Sequence, residues 1–180
     1  MNYLKEFIIP FAGLKAGSHH FNFEIGDKFF EAIDYSEIKK GNLKADLELE
    51  RQERMLIFQI DIQGFVELEC DRCLDPISYR VNSKHKLIFK FGADWEDISD
   101  EIIIMPESEY QVDMSHYLYE YISLSLPMQC IHPDDENGES TCNREMLNIL
   151  GYHPEKHDDD PRWDALRKLK GNYLKSNNIL

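Results

Sequence analysis

The sequence predicts an α+β fold: an antiparallel β-meander sheet, open or barrel-like, with a covering helix and a C-terminal helix on a hinge. Three observations predict it. Long apolar/polar alternations fill residues 43–91, a helical apolar stripe follows Asp113, and a polar segment at 153–160 precedes a last amphipathic run. A chain of 180 residues suits one main domain, placed at 1–150, with a charged linker and terminal helix at 151–180.

At the N-terminal end, residues 3–9 and 19–25 read as strands, and a short helix opens at Asp27 with Phe29, Phe30 and Ile33 inward. Leu43, Ala45, Leu47 and Leu49 alternate with Lys44, Asp46, Glu48 and Glu50, the pattern of a half-buried strand. A longer alternation puts Phe58, Ile60, Ile62, Gly64, Val66, Leu68 and Cys70 on one face. After a turn marked by Pro76 and two aspartates it resumes with Ile77, Tyr79, Val81, Ser83, His85, Leu87, Phe89 and Phe91. Two long strands therefore flank Cys70-Asp-Arg-Cys73. Asp113 is a good N-cap for a helix carrying Met114, Tyr117, Leu118, Tyr121 and Ile122 inward, and Pro127 stops it. Asp160-Pro161 opens the final helix, with Trp163, Leu166, Leu169 and Tyr173 on one face.

Hydrophobic residues at 42% exclude a wholly disordered chain. The net charge of −14 argues against a surface that wraps nucleic acid throughout. The excess is local: residues 91–145 hold 14 acids and one base. The longest apolar stretch near the start is broken by Pro10 and Gly13 and lacks a basic leader, so the expected location is cytoplasmic. In that reducing compartment Cys70, Cys73, Cys130 and Cys142 are expected as thiols or metal ligands rather than disulfides.

Two cysteines at a hairpin turn can aim both sulfurs at one ion while turn amides donate to them. Such a zinc knuckle needs two more ligands, for which Cys130, His132 and Cys142 are the candidates; buried plain thiols and redox chemistry are the alternatives. Arg80, Lys84, Lys86 and Lys90 share the outward face of the third long strand, the one patch suited to phosphates and expected as a nucleic-acid or partner contact. Cross-strand pairing also accounts for the row: with Glu69 opposite Ser78, Glu67 faces Arg80, Gln63 faces Lys84 and Asp61 faces Lys86. Arg72 in the turn and Arg167 and Lys168 on the terminal helix complete the expected contact set. His116 reads as a surface histidine with no acid at a fixed spacing. No phosphate-binding glycine loop, nucleophile elbow or paired helical histidines occur, so an enzyme is not expected.

Cys70-Asp-Arg-Cys73-Leu74 after a long strand, Leu124-Ser-Leu-Pro127 ending a helix, the later His132 and Cys142, and Asp160-Pro-Arg-Trp-Asp-Ala-Leu-Arg-Lys-Leu169 together resemble the YceD-like family of large ribosomal RNA subunit accumulation proteins. The resemblance implies a non-enzymatic cytoplasmic ribosome-biogenesis factor. It would support accumulation or processing of large-subunit rRNA through ribosomal-protein or local rRNA contacts, with no membrane and no small-molecule substrate. It also implies Cys70, Cys73, His132 and Cys142 as the zinc ligands, with Cys130 able to replace His132. The other functional reading is a zinc-stapled protein-interaction adaptor unrelated to ribosomes.

Overall fold

A computed structural model describes residues 3–151. Met1–Cys142 forms one compact unit. Of the following residues, the described part contains α3 (Arg144–Ile149), whose N-cap Asn143 accepts the Glu145 and Met146 backbone N–H groups on its side chain. The expected linker at 153–160 and the terminal helix, with Arg167 and Lys168, lie outside the described residues.

The first unit is built on an open six-stranded sheet and is not closed into a barrel. Its strands are β2 (Gly17–Gly26), β3 (Lys40–Arg51), β4 (Met55–Glu69), β5 (Pro76–Gly92), β6 (Glu96–Ser99) and β7 (Ile102–Pro106), in the order β2-β3-β4-β5-β7-β6. The first four form the expected antiparallel meander. β7 then inserts beside β5 in parallel, Ile88 opposite Ile102, and β6 returns along the far edge. β6 and β7 lie in the acidic segment, where no strand was expected; Ile103 and Met105 give β7 its buried face. A second, two-stranded ribbon joins β1 (Ile8–Ile9) to β8 (Val112–Asp113).

The expected strand at 3–9 is instead a 3-10 turn at Tyr3–Phe7 leading into β1. Tyr3, Leu4 and Phe7 recur at helical rather than alternating spacing, and all three pack on the core. Phe7 meets Phe29 of α1 (Asp27–Glu31) and Phe23 of β2, with ring centroids 4.8 and 5.1 Å apart. α2 (Ser115–Leu124) covers the same sheet face through Leu118 and Ile122, both inaccessible to solvent. Asp113 anchors its start by accepting the Ser115 backbone N–H and hydroxyl at 2.9 and 2.6 Å. No helix among the described residues is long and apolar enough to cross a membrane.

The ladder aligns apolar rows across the sheet, such as Phe21, Leu47, Ile60 and His85. A histidine ending an apolar row is conspicuous. Its ring stacks on Tyr121 of α2 at 4.1 Å, and its buried Nε2 has no hydrogen-bond partner among the described residues. Burial pushes the His85 pKa below the ordinary histidine value. The folded chain therefore takes up this proton at lower pH than the unfolded chain. The stability that the neutral ring preserves is complete above about pH 6.5 and declines as the pH falls below it. His85→Phe is expected to flatten the fall of melting temperature between about pH 7.5 and about pH 5.5. A slope identical to that of the wild type would refute this.

Candidate metal centre

β4 runs into β5 through a tight knuckle at 70–75. The Cys70 N–H donates to the Asp75 carbonyl (3.0 Å), the Leu74 N–H donates to the Cys70 carbonyl (2.9 Å), and Leu74 sits at φ 64°. The chain leaving α2 passes Pro127 and docks against this knuckle. Asp71 holds both backbone polar groups of one residue: its N–H donates to the Cys130 carbonyl (2.8 Å) and its carboxylate accepts the Cys130 N–H (2.6 Å). His132 follows. A small loop then closes through an antiparallel bridge between Asp134 and Ser140, inside which the Asp135 carboxylate accepts the Asn137 and Glu139 N–H groups. Those donors hold the Asp135 carboxyl below its usual range. The loop delivers Cys142 back to the knuckle.

The result brings together Cys70, Cys73, His132 and Cys142, with all four ligand atoms within 4.8 Å of one another. Cys70 Sγ lies 3.8 Å from Cys142 Sγ, and His132 Nδ1 lies 3.4 Å from Cys73 Sγ and 3.9 Å from Cys142 Sγ. No disulfide joins the four cysteines. Tetrahedral zinc, about 2.3 Å from sulfur and about 2.0 Å from nitrogen, implies edges of about 3.8 Å between sulfurs and about 3.5 Å from sulfur to nitrogen. The close pairs fit those edges, and three soft sulfurs with one imidazole are a donor set suited to zinc.

The electrostatics favour a thiolate at the centre. Burial opposes ionisation of Cys70, but the backbone N–H groups of Cys73, Arg72 and His132, with the Cys73 side chain, outweigh it and bring the pKa to about 6. Cys130 is outside the four-ligand group and serves through its backbone. Burial, then the charges of Asp71 and Cys70, push its thiol up. Arg72, expected as a contact residue, donates to Ser140 Oγ at 3.2 Å. The paired hydrogen bonds of Asp71 were not expected; an aspartate immediately after the first cysteine was the available signal.

On β5, Arg80, Lys84, Lys86 and Lys90 are exposed on one sheet face as expected, but the register differs by two residues. Pairing runs out to Glu69 opposite Pro76, so Phe65 faces Arg80, Asp61 faces Lys84 and Gln59 faces Lys86. Pro76 occupies the first position of a strand, where its missing N–H is tolerated. Lys84 bonds Asp61 at 3.0 Å, and Glu67 is taken by Lys40 of β3 at 2.8 Å, not by Arg80. Gln63 and then Lys84 hold the Asp61 carboxyl below its usual range. Arg80, Lys86 and Lys90 form no ion pair among the described residues. His116 does have an acid partner: its Nε2 lies 3.0 Å from Glu120, one turn on, and Tyr35 bonds its Nδ1 at 2.8 Å.

No curated protein and no solved structure matches the chain. A family model does, over residues 58–170, a span containing the knuckle, α2, all four ligands of the cluster and the basic row. That span is more than half of the chain, which accordingly belongs to the YceD family, described as large ribosomal RNA subunit accumulation proteins.

Proposed function

We propose that the protein is a non-enzymatic factor in large-subunit assembly that supports accumulation or processing of the large ribosomal RNA. Family membership carries this reading. In it, Cys70, Cys73, His132 and Cys142 hold one zinc ion. The zinc neutralises the thiolates and fastens the post-helix loop to the β-hairpin, giving a rigid body rather than a reaction centre. The main body extends to about residue 150, and the arm beyond it, with Arg167 and Lys168, is a further contact element. The overall acidity favours association chiefly through a ribosomal protein, with rRNA touched locally by the β5 row. Removing the protein from cells should lower the amount of large-subunit rRNA, and the protein should sediment with large-subunit precursors. Unchanged rRNA levels together with no cosedimentation would end the proposal.

The row gives a separate test. Exchanging Lys86 and Lys90 for glutamate should weaken binding to an rRNA fragment and make its dependence on salt shallower. The log–log slope falls by roughly 0.7 to 0.9 for each phosphate no longer neutralised. Unchanged affinity and slope would remove this strand from the RNA contact surface.

A further inference from the structure

A groove of about 1050 Å³ runs between the knuckle, the residues before β3 and the C-terminal end of α2. Its rim carries Leu74, Leu124 and Met128, which are 60%, 77% and 107% exposed. Its other apolar lining includes Leu68, Leu126 and Pro127. Exposed leucines scattered singly need no explanation; three large apolar side chains gathered around one groove are a recognition surface.

Leu74 strengthens the case. It is the one described non-glycine residue at positive φ, a conformation that glycine or asparagine adopts more readily. Its side chain nonetheless projects into solvent, where it gives the fold little packing in return. Charge then selects the occupant. Glu37, Glu67, Glu69 and Asp71 line the groove with Lys39; Glu67 is paired with Lys40, and the other three acids still outnumber the one lining lysine. Such a surface repels phosphates and would repel its own counterpart in a second copy, while it attracts lysine and arginine.

We propose that this groove binds a cationic protein segment whose apolar side chains anchor between Leu74, Leu124 and Met128. The proposal deepens the assembly-factor reading by naming the partner class: a basic protein tail rather than RNA. Because the test reads binding alone, the groove can fail while the rRNA requirement stands, and the converse.

The full-length protein, labelled at its methionine methyl groups, is titrated with a short amphipathic Lys/Leu peptide, with its Glu/Leu counterpart and with an oligouridylate. The Met128 methyl resonance should shift with the Lys/Leu peptide and stay still with the other two. Leu74→Asn combined with Met128→Ser should weaken the Lys/Leu peptide by about tenfold or more, as loss of anchoring residues does. Asparagine suits the backbone at position 74, so the melting temperature should be maintained. Ile98→Ser, at a side chain 54% exposed on β6, should leave affinity unchanged. Glu37→Gln with Glu69→Gln should weaken binding and reduce its salt dependence.

A static Met128 resonance with the Lys/Leu peptide would overturn the proposal, as would equal losses from the groove variant and Ile98→Ser. A Met128 shift produced by oligouridylate instead would also overturn it and assign the groove to RNA. A shift that follows protein concentration alone would overturn it too, assigning the groove to self-association.

Discussion

Cys73→Ser is expected to destabilise the protein by on the order of 3 to 5 kcal/mol, well below the roughly 10 or more that zinc contributes to a small finger peptide. The smaller figure follows from the core: the sheet and its two covering helices bury Phe29, Phe30, Phe58 and Phe89 independently of the cluster. The corresponding fall in melting temperature is roughly 10 °C. The damage should concentrate at the post-helix loop, which is tied to the knuckle by the Cys130–Asp71 bonds, the Arg72–Ser140 bond and the four ligands. Limited proteolysis should cut within 133–141 in the variant, or after chelation, long before the sheet opens. Elemental analysis should give one zinc per wild-type chain. Metal-free protein melting at the wild-type temperature, with the loop still protected, would reject the centre.

Gly64→Ala should cost about 3 kcal/mol or more, although it adds a single methyl group. Gly64 lies at φ 150°, and a Cβ there would stand 2.3 Å from the Asn42 carbonyl oxygen and 2.5 Å from the Leu43 Cα. Both obstacles are backbone of the neighbouring strand, so relief requires β3 and β4 to part in the middle of the sheet. Gly138 provides the control. It too has positive φ, at 80°, but a Cβ there meets nothing within 4 Å, so Gly138→Ala should cost only about 1 kcal/mol. Denaturant midpoints for the two variants compare them directly. Equal shifts would show that backbone conformation alone, and not the close approach of two strands, requires glycine at 64.

The same strands show what sequence pattern can carry. Alternation identified β3, β4 and β5 and the face each buries, because a half-buried strand must segregate its side chains with a period of two. Pattern alone left the pairing offset by two, since such a shift preserves every residue's face; the knuckle's hydrogen bonds set the actual register. β7 was less legible. Its Ile102-Ile-Ile-Met105 run does not alternate, and its place beside β5 depends on a non-local parallel pairing. The cluster was legible in its first half from the close spacing of Cys70 and Cys73. Its second half depended on family resemblance, because ten positions separate His132 from Cys142 and only the folded loop brings them together. The hydrophobic groove was missed because its lining comes from three distant segments.

The small ribbon in which Ile8 pairs with Asp113 and Ile9 with Val112 has a consequence for biosynthesis. These partners leave the ribosome roughly a hundred residues apart, about 5 to 20 s at ordinary elongation rates. The four-strand meander needs only sequence neighbours and has time to assemble first, whereas Ile8 and Ile9 must await a strand not yet translated. During that interval the Ile8 and Ile9 backbone groups lack their partners, so closing the ribbon follows formation of the meander.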